Sequence, residues 1–314
     1  MIIEKTAWRV SAFHRAFSPF RAAREAFRAF IEASGFDRKG TILLPAYVGW
    51  SAREGSGVFD PVRDSGARWA LYQVQEDLSI DLKPLSAQLT GDGPFLLVLI
   101  HYFGYPATGA ASAARIARAR GCAILEDQAH SLLSDWVGGV TGRLGDASIY
   151  SFHKLFPTPS GGGLSLSPQA SRELTERLAT WATRVPLPLD LMSYDLPATA
   201  AVRRRNAARL IRLLAPLAEV FQPLHPKLPR GAVPQSFPVR VLRGSRDRLY
   251  EEANAAGFGV VSLYHTMIPE VRAEEYPAPH RLSRCILNLP VHQDVTSEGL
   301  EAMVAWLANW AKRL

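Results

Sequence analysis

The chain has 314 residues, 47% of them apolar, enough to bury one large core and a second smaller one. No stretch approaches the roughly 20 consecutive apolar residues of a membrane span, and the opening residues alternate charge with apolar side chains rather than forming a leader's apolar core, so a cytoplasmic protein without a membrane partner is expected. The formal charge of +7 is carried mostly by arginines spread over helical patterns, and its one dense run, RRRNAAR at residues 203–209, reads as a solvated helix face rather than a nucleic-acid surface.

Short β-rich runs alternate with helical patterns, as in an α/β fold around a mostly parallel sheet. Residues 17–35 predict a helix with Ser18 as its cap, Pro19 in the first position and apolar residues at helical spacing. Strands are expected at 41–45, 67–74, 95–101, 122–127, 147–152 and 162–167, several apolar throughout, as strands covered on both faces should be. Between two of them, residues 108–121 offer a cap at Thr108, an alanine-rich body and a closing glycine, a βαβ crossover. Helical character continues from about Pro168 to Arg184. The proline-rich stretch 186–201 then predicts a connection, dividing the chain into domains at 1–195 and 196–314. The second part predicts a helix at 200–214, a strand at 236–242, a helix at 245–256, a strand at 258–264 and a last helix at 296–314, a small C-terminal α+β domain. Cys122 and Cys285 lie beside apolar runs and suit buried free thiols; two cysteines make no metal cage, and no metal is expected.

In open parallel sheets, ligands bind beyond the carboxyl ends of the strands. The run CAILEDQAH places Glu126, Asp127 and His130 at such an end. Only six lysines occur, and Lys154 alone sits among apolar, aromatic and glycine residues, in YSFHKLFPTPSGGG. It follows Asp127 by 27 residues (154 minus 127), after an intervening strand and before a glycine-rich turn. A carboxylate followed by such a lysine is the pair that pyridoxal 5'-phosphate (PLP) chemistry requires: the carboxylate keeps the ring nitrogen protonated, and the amine carries the imine. Taken alone, the acidic cluster could equally be a polar surface turn.

The segment ILEDQAHSLLSDWVGGVTGRLGDASIYSFHKLFPTPSGGG resembles the DegT/DnrJ/StrS family of PLP-dependent sugar aminotransferases, in the order Glu-Asp-x-Ala-His, Gly-x-x-Gly-Asp, Ser-Phe, lysine, Gly-Gly. The likeness continues upstream in LLPAYVGWSA and VLIHYFGYPA, and downstream in RRRNAARL, SFPVRV and ILNLPVHQDVTSEGLEAMVAWL. The resemblance implies an aspartate-aminotransferase-like fold (PLP fold type I), α/β, with a mixed, mostly parallel sheet in the large domain. It further implies Asp127 at the pyridine nitrogen, His130 near the ring hydroxyl, Ser151 at the phosphate and Lys154 as the imine-forming lysine. Trp50 or Tyr47 would stack on the ring, and Arg21 would stand in at the phosphate for the family's Ser-Gly-Thr, which this chain replaces by Ser18-Pro19-Phe20-Arg21.

Two further departures are visible. His153 and Lys154 are adjacent, where the family more often spaces them by two residues, and nothing between Arg184 and Arg203 matches the family's Gly-x-Asn-x-Arg segment, whose asparagine reaches across the dimer. The resemblance implies a homodimer acting on small molecules: glutamate as amino donor, and a keto acceptor on a nucleotide-linked sugar or related metabolite. Two alternatives stand beside it: a PLP enzyme of another reaction type, dehydration or carbon–carbon bond chemistry, and a non-catalytic protein that kept the fold.

Overall fold

The computed structural model of the protein describes residues 16–91, 93–170, 172–181 and 194–314. The expected connection at 186–201 lies outside them as far as residue 193, as does the end of the helix read to Arg184.

The apolar runs become strands β1 (Ser18–Phe20), β2 (Thr41–Pro45), β3 (Arg68–Tyr72), β4 (Phe95–Ile100), β5 (Ala123–Asp127), β6 (Ala147–Ser151) and β7 (Gly162–Leu166). They form one sheet in the order β1-β7-β6-β5-β4-β2-β3. From β3 to β6 neighbouring strands are parallel, whereas β7 runs antiparallel to both β6 and β1. All six residues of β4 are buried, because a parallel strand is covered on both faces. The covering helices are α1 (Ala23–Ala33), α2 (Phe59–Asp64), α3 (Leu82–Gln88), α4 (Ala110–Arg118), α5 (Leu132–Trp136) and α6 (Arg172–Trp181). Helix α4 buries Ala110, Ala113, Ala114 and Ala117, a stripe at helical spacing whose small side chains let it lie close to the sheet.

A second, antiparallel sheet comprises β8 (Phe221–Pro223), β9 (Phe237–Val241) and β10 (Ile286–Leu289), in the order β10-β9-β8. Packed with it are α7 (Leu196–Leu214), α8 (Arg246–Ala255), α9 (Pro277–Cys285) and α10 (Ser297–Ala311). Leu210, Phe221, Val239, Leu287, Leu300 and Trp310 are among the residues of its core. Helix α7 starts earlier than residue 200: the Asp195 side chain accepts the Ala198 N–H, and Pro197 fits the first turn.

Several expectations are corrected. Ser18 does not cap a helix; Ser18–Phe20 pairs with Leu164, Gly163 and Gly162 as an edge strand, where Pro19 costs no ladder hydrogen bond, and α1 begins only at Ala23. The cap of α4 is Gly109 in a left-handed conformation, not Thr108. Residues 258–264 form no strand; Val261 makes an isolated bridge to Asn288, and Tyr264 sits at φ 60°. The strand beside β9 on that side of the second sheet is instead β10, which follows α9. Arg203 is 2% exposed rather than solvated: its Nε donates to Gln293 Oε1 at 3.0 Å and its Nη1 to Gln235 O at 3.1 Å, and burial pushes its pKa down to about 10 against the pull of Asp294. Both cysteines are free; Cys122 is buried and Cys285 partly so. No helix among the described residues is long and apolar enough to cross a membrane, and among the same residues no cluster could hold a metal ion.

Candidate active site

Parallel strands deliver their last residues to one edge of the sheet, and here that edge borders a cleft of about 380 Å³, a size suited to a small ligand. Asp127, the last residue of β5, is 5% exposed; its Oδ1 accepts the Ala129 N–H at 2.8 Å, while Oδ2 has no hydrogen-bond partner among the described residues. Burial raises the Asp127 carboxyl above its ordinary pKa, opposed by Lys154 and the Ala129 N–H.

Its neighbour in sequence does a different job, because successive residues of a strand point to opposite faces. Glu126 is fully buried beneath the cleft, and accepts the N–H groups of Leu144 and Gly145 on Oε1, both at 2.7 Å, and those of Gly142 (2.8 Å) and His101 Nε2 (2.9 Å) on Oε2. Burial alone would raise its pKa, but these donors, His101 foremost, hold it below the ordinary carboxylate value. Glu126 thus pins the turn that feeds β6, and β6 carries Ser151 and, through a 3₁₀ turn at Phe152–Lys154, the lysine.

Lys154 Nζ lies 3.0 Å from His130 Nε2, and Phe103 N donates to His130 Nδ1 at 3.3 Å. Burial lowers the pKa of both Lys154 and His130; Asp127 and Glu54 pull Lys154 back up, and Arg24 adds to the lowering. Ser151 Oγ lies 3.3 Å from His153 Nδ1, and both residues border the cleft.

The amino end of α1 forms another wall, through Ala22, Ala23 and Arg24. Its unpaired N–H groups and dipole favour an anion there. The sharp approach of β7 makes this possible: a Cβ on Gly162 would fall 2.3 Å from Ala22 C and 2.4 Å from Ala23 N, so only glycine lets strand and helix end meet. Arg21 is exposed and does not line the cleft; Arg24, one helical turn later, does, with Nη1 donating to Glu54 O at 2.9 Å.

Of the two aromatic residues expected at a ring, Trp50 stands at the cleft with 41% of its surface exposed, and Tyr47 is buried in the core. Sequence reasoning missed Tyr264, which lines the cleft and meets His130 edge-on at 5.9 Å while stacking on Tyr47 at 5.2 Å. Gly49 leaves room for it, since a Cβ there would come 2.9 Å from Tyr264 Cδ1. No signal marked Tyr264, because its surroundings imitate a strand. Asp127, His130, Ser151 and Lys154 are brought to one cleft, together with Glu54, Gln235 and His265 from other segments.

The residues fit PLP: a buried carboxylate, an amine of lowered basicity and an anion-binding helix end face the same space. No curated protein matches the chain in sequence. Residues 24–178 match the DegT/DnrJ/EryC1/StrS aminotransferase family. Among solved structures, DesI with its TDP-sugar product shares the fold at TM-score 0.75, with 20% identity over 95% of this chain and 81% of that one. The Helicobacter pylori aminotransferase PseC, involved in pseudaminic acid biosynthesis, is similar at TM-score 0.72, with 16% identity over 94% of this chain and 86% of that one. A Streptococcus pneumoniae protein in its PLP-form gives TM-score 0.73, with 14% identity over 98% of this chain and 93% of that one. Residues 24–178 thus belong to the DegT/DnrJ/EryC1/StrS aminotransferase family, whose cofactor is PLP.

Proposed function

We propose that the chain transfers an amino group from glutamate to a keto group on a nucleotide-linked sugar or related metabolite, as a homodimer with two equivalent sites. The observation that carries this reading is the placement of the Lys154 amine and the Asp127 carboxylate on one cleft whose far wall is the amino end of α1. When bound, PLP supplies an electron-accepting ring and an aldehyde that carries the amino group between substrates. Asp127 holds a proton at the ring nitrogen. The N–H groups at the start of α1, the Arg24 guanidinium and Ser151 Oγ bind the phosphate. His130 would serve the ring hydroxyl, and Tyr264 walls the site on the side of the second sheet. Lys154 Nζ, as a free amine, takes the proton from the substrate carbon that bears the amino group. Trp50, at the exposed edge, contacts the acceptor rather than the ring.

A nucleotide-sugar acceptor draws support from DesI, which was solved with a TDP-sugar product. The test is spectroscopic: PLP-loaded protein mixed with glutamate should convert from the lysine-bound absorbance to that of the pyridoxamine form. Failure to convert with any amino donor would refute transamination.

A further inference from the structure

His130 makes two hydrogen bonds whose requirements conflict unless its proton is placed one way. Phe103 N donates to Nδ1 at 3.3 Å, and Lys154 Nζ lies 3.0 Å from Nε2. A peptide N–H can only donate, so Nδ1 must offer a lone pair. A neutral imidazole then carries its single proton on Nε2, which becomes a donor. An ammonium group has no lone pair to receive that hydrogen, whereas a free amine has one. We infer that His130, fixed in its Nε2–H tautomer by the peptide of Phe103, donates to Lys154 and positions it as a free amine before the cofactor arrives. This assignment rests on the reading of Lys154 as the imine-forming lysine.

The surrounding structure is built to hold the arrangement. Phe103 adopts φ 57°, a left-handed conformation that costs a bulky residue about 1–3 kcal/mol. It persists because its neighbours are tied down: Gln235 N donates to Phe103 O at 2.8 Å, Ser134 Oγ to Gly104 O at 2.6 Å, and Tyr102 Oη to Tyr47 O at 2.6 Å. The strained peptide turns its N–H toward His130. The imidazole stacks on the Phe103 ring at 6.1 Å and 22°, and Tyr264 meets it edge-on, so the ring is held by aromatic neighbours as well as at both nitrogens.

The charged and titratable groups around Lys154 come from every adjoining element: Asp127 from β5, Glu54 from the loop before α2, Arg24 from α1, His130 beyond β5, His153 from its own turn, Arg203 from α7, and Tyr264 and His265 from the segment before α9. Burial lowers both Lys154 and His130, in the same sense as the tautomer argument. The free amine is the form that condenses with an aldehyde, so the device keeps the lysine ready without a separate base.

The test uses full-length protein stripped of cofactor and labelled with ¹⁵N at histidine. Long-range ¹H–¹⁵N spectra near neutral pH, with His130 identified by the signals missing from His130→Gln, should show a protonated Nε2 and a bare Nδ1. A proton on Nδ1, or on both nitrogens, overturns the inference. Labelling of Lys154 by trinitrobenzenesulfonate, read by peptide mapping, adds a second measure. His130→Gln, whose amide can still donate, should label like the wild type, whereas His130→Met, of similar bulk without a donor, should label roughly tenfold more slowly, one unit of pKa. Equal labelling in the methionine variant also overturns it. The reading of the site fails separately if borohydride traps the cofactor on another lysine while His130 keeps its Nε2–H tautomer.

Discussion

Replacing Glu126 by glutamine removes one charge and changes almost no volume, yet it should be among the most damaging substitutions in the chain. Each carboxylate oxygen receives two donors: Leu144 and Gly145 N–H on Oε1, Gly142 N–H and His101 Nε2 on Oε2. A glutamine offers one accepting oxygen and one NH₂, so whichever way it turns, two donors face two hydrogens. His101 cannot escape by changing tautomer, because its Nδ1 already accepts the Ala107 N–H at 3.0 Å. Two orphaned buried donors at about 1–3 kcal/mol each predict a loss of roughly 2–6 kcal/mol. Urea unfolding of the cofactor-free protein measures it, with the shift in midpoint at unchanged slope giving the loss. Since the Gly142–Gly145 turn leads into β6, the variant should also bind PLP more weakly than the wild type. A loss under about 1 kcal/mol would refute the claim that this carboxylate fixes the turn beneath the lysine.

Two other outcomes follow from the same geometry. Gly162→Ala drives a methyl group into the Ala22–Ala23 backbone at 2.3–2.4 Å, so α1 must retreat; overpacking of this kind costs about 1–3 kcal/mol. Calorimetry should show a lower melting midpoint, equilibrium dialysis a weaker hold on PLP, and a variant unchanged in both would contradict the role given to this glycine. His225, stacked on Tyr105 at 4.0 Å, is pushed by burial from the ordinary 6.5 down to about 4, with Asp77 opposing. Below pH 6.5 the unfolded chain therefore takes up a proton that the folded chain refuses. Its contribution is complete above that value and is lost as pH falls toward 4, at up to about 1.4 kcal/mol per pH unit. His225→Phe keeps the stacking and should flatten the acid limb of a stability–pH profile; an equally steep limb would exclude His225 as its source.

The sheet was legible because burial on both faces writes an unbroken apolar run, as in Phe95–Ile100, and all six predicted strands of its body are present at nearly the expected bounds. That Asp127 and Lys154 would meet at one cleft was legible for a related reason: each lies at or just beyond the carboxyl end of a buried run, the edge where ligands bind in parallel sheets. What escaped was decided by partners distant in sequence. Ser18-Pro19 has every local feature of a helix start, but Gly162–Leu164 offers an edge to pair with, and pairing prevails over propensity. The run at 258–264 has the composition of a strand, yet it makes only a single bridge and turns at Tyr264 into the cleft. Arg203 belongs to a basic run that looks solvated, and only the packing of α7 against Gln235 and Gln293 buries it. Arg24 was overshadowed by Arg21 because the helix was placed one turn too early.

The most direct test of the central claim is chemical trapping. PLP-loaded protein is reduced with borohydride, digested and mapped by mass spectrometry. The phosphopyridoxyl group should be found on Lys154, and the Lys154→Ala variant should lose the lysine-bound absorbance. Recovery of the label on any of the other five lysines, or an undiminished spectrum in the variant, would contradict it.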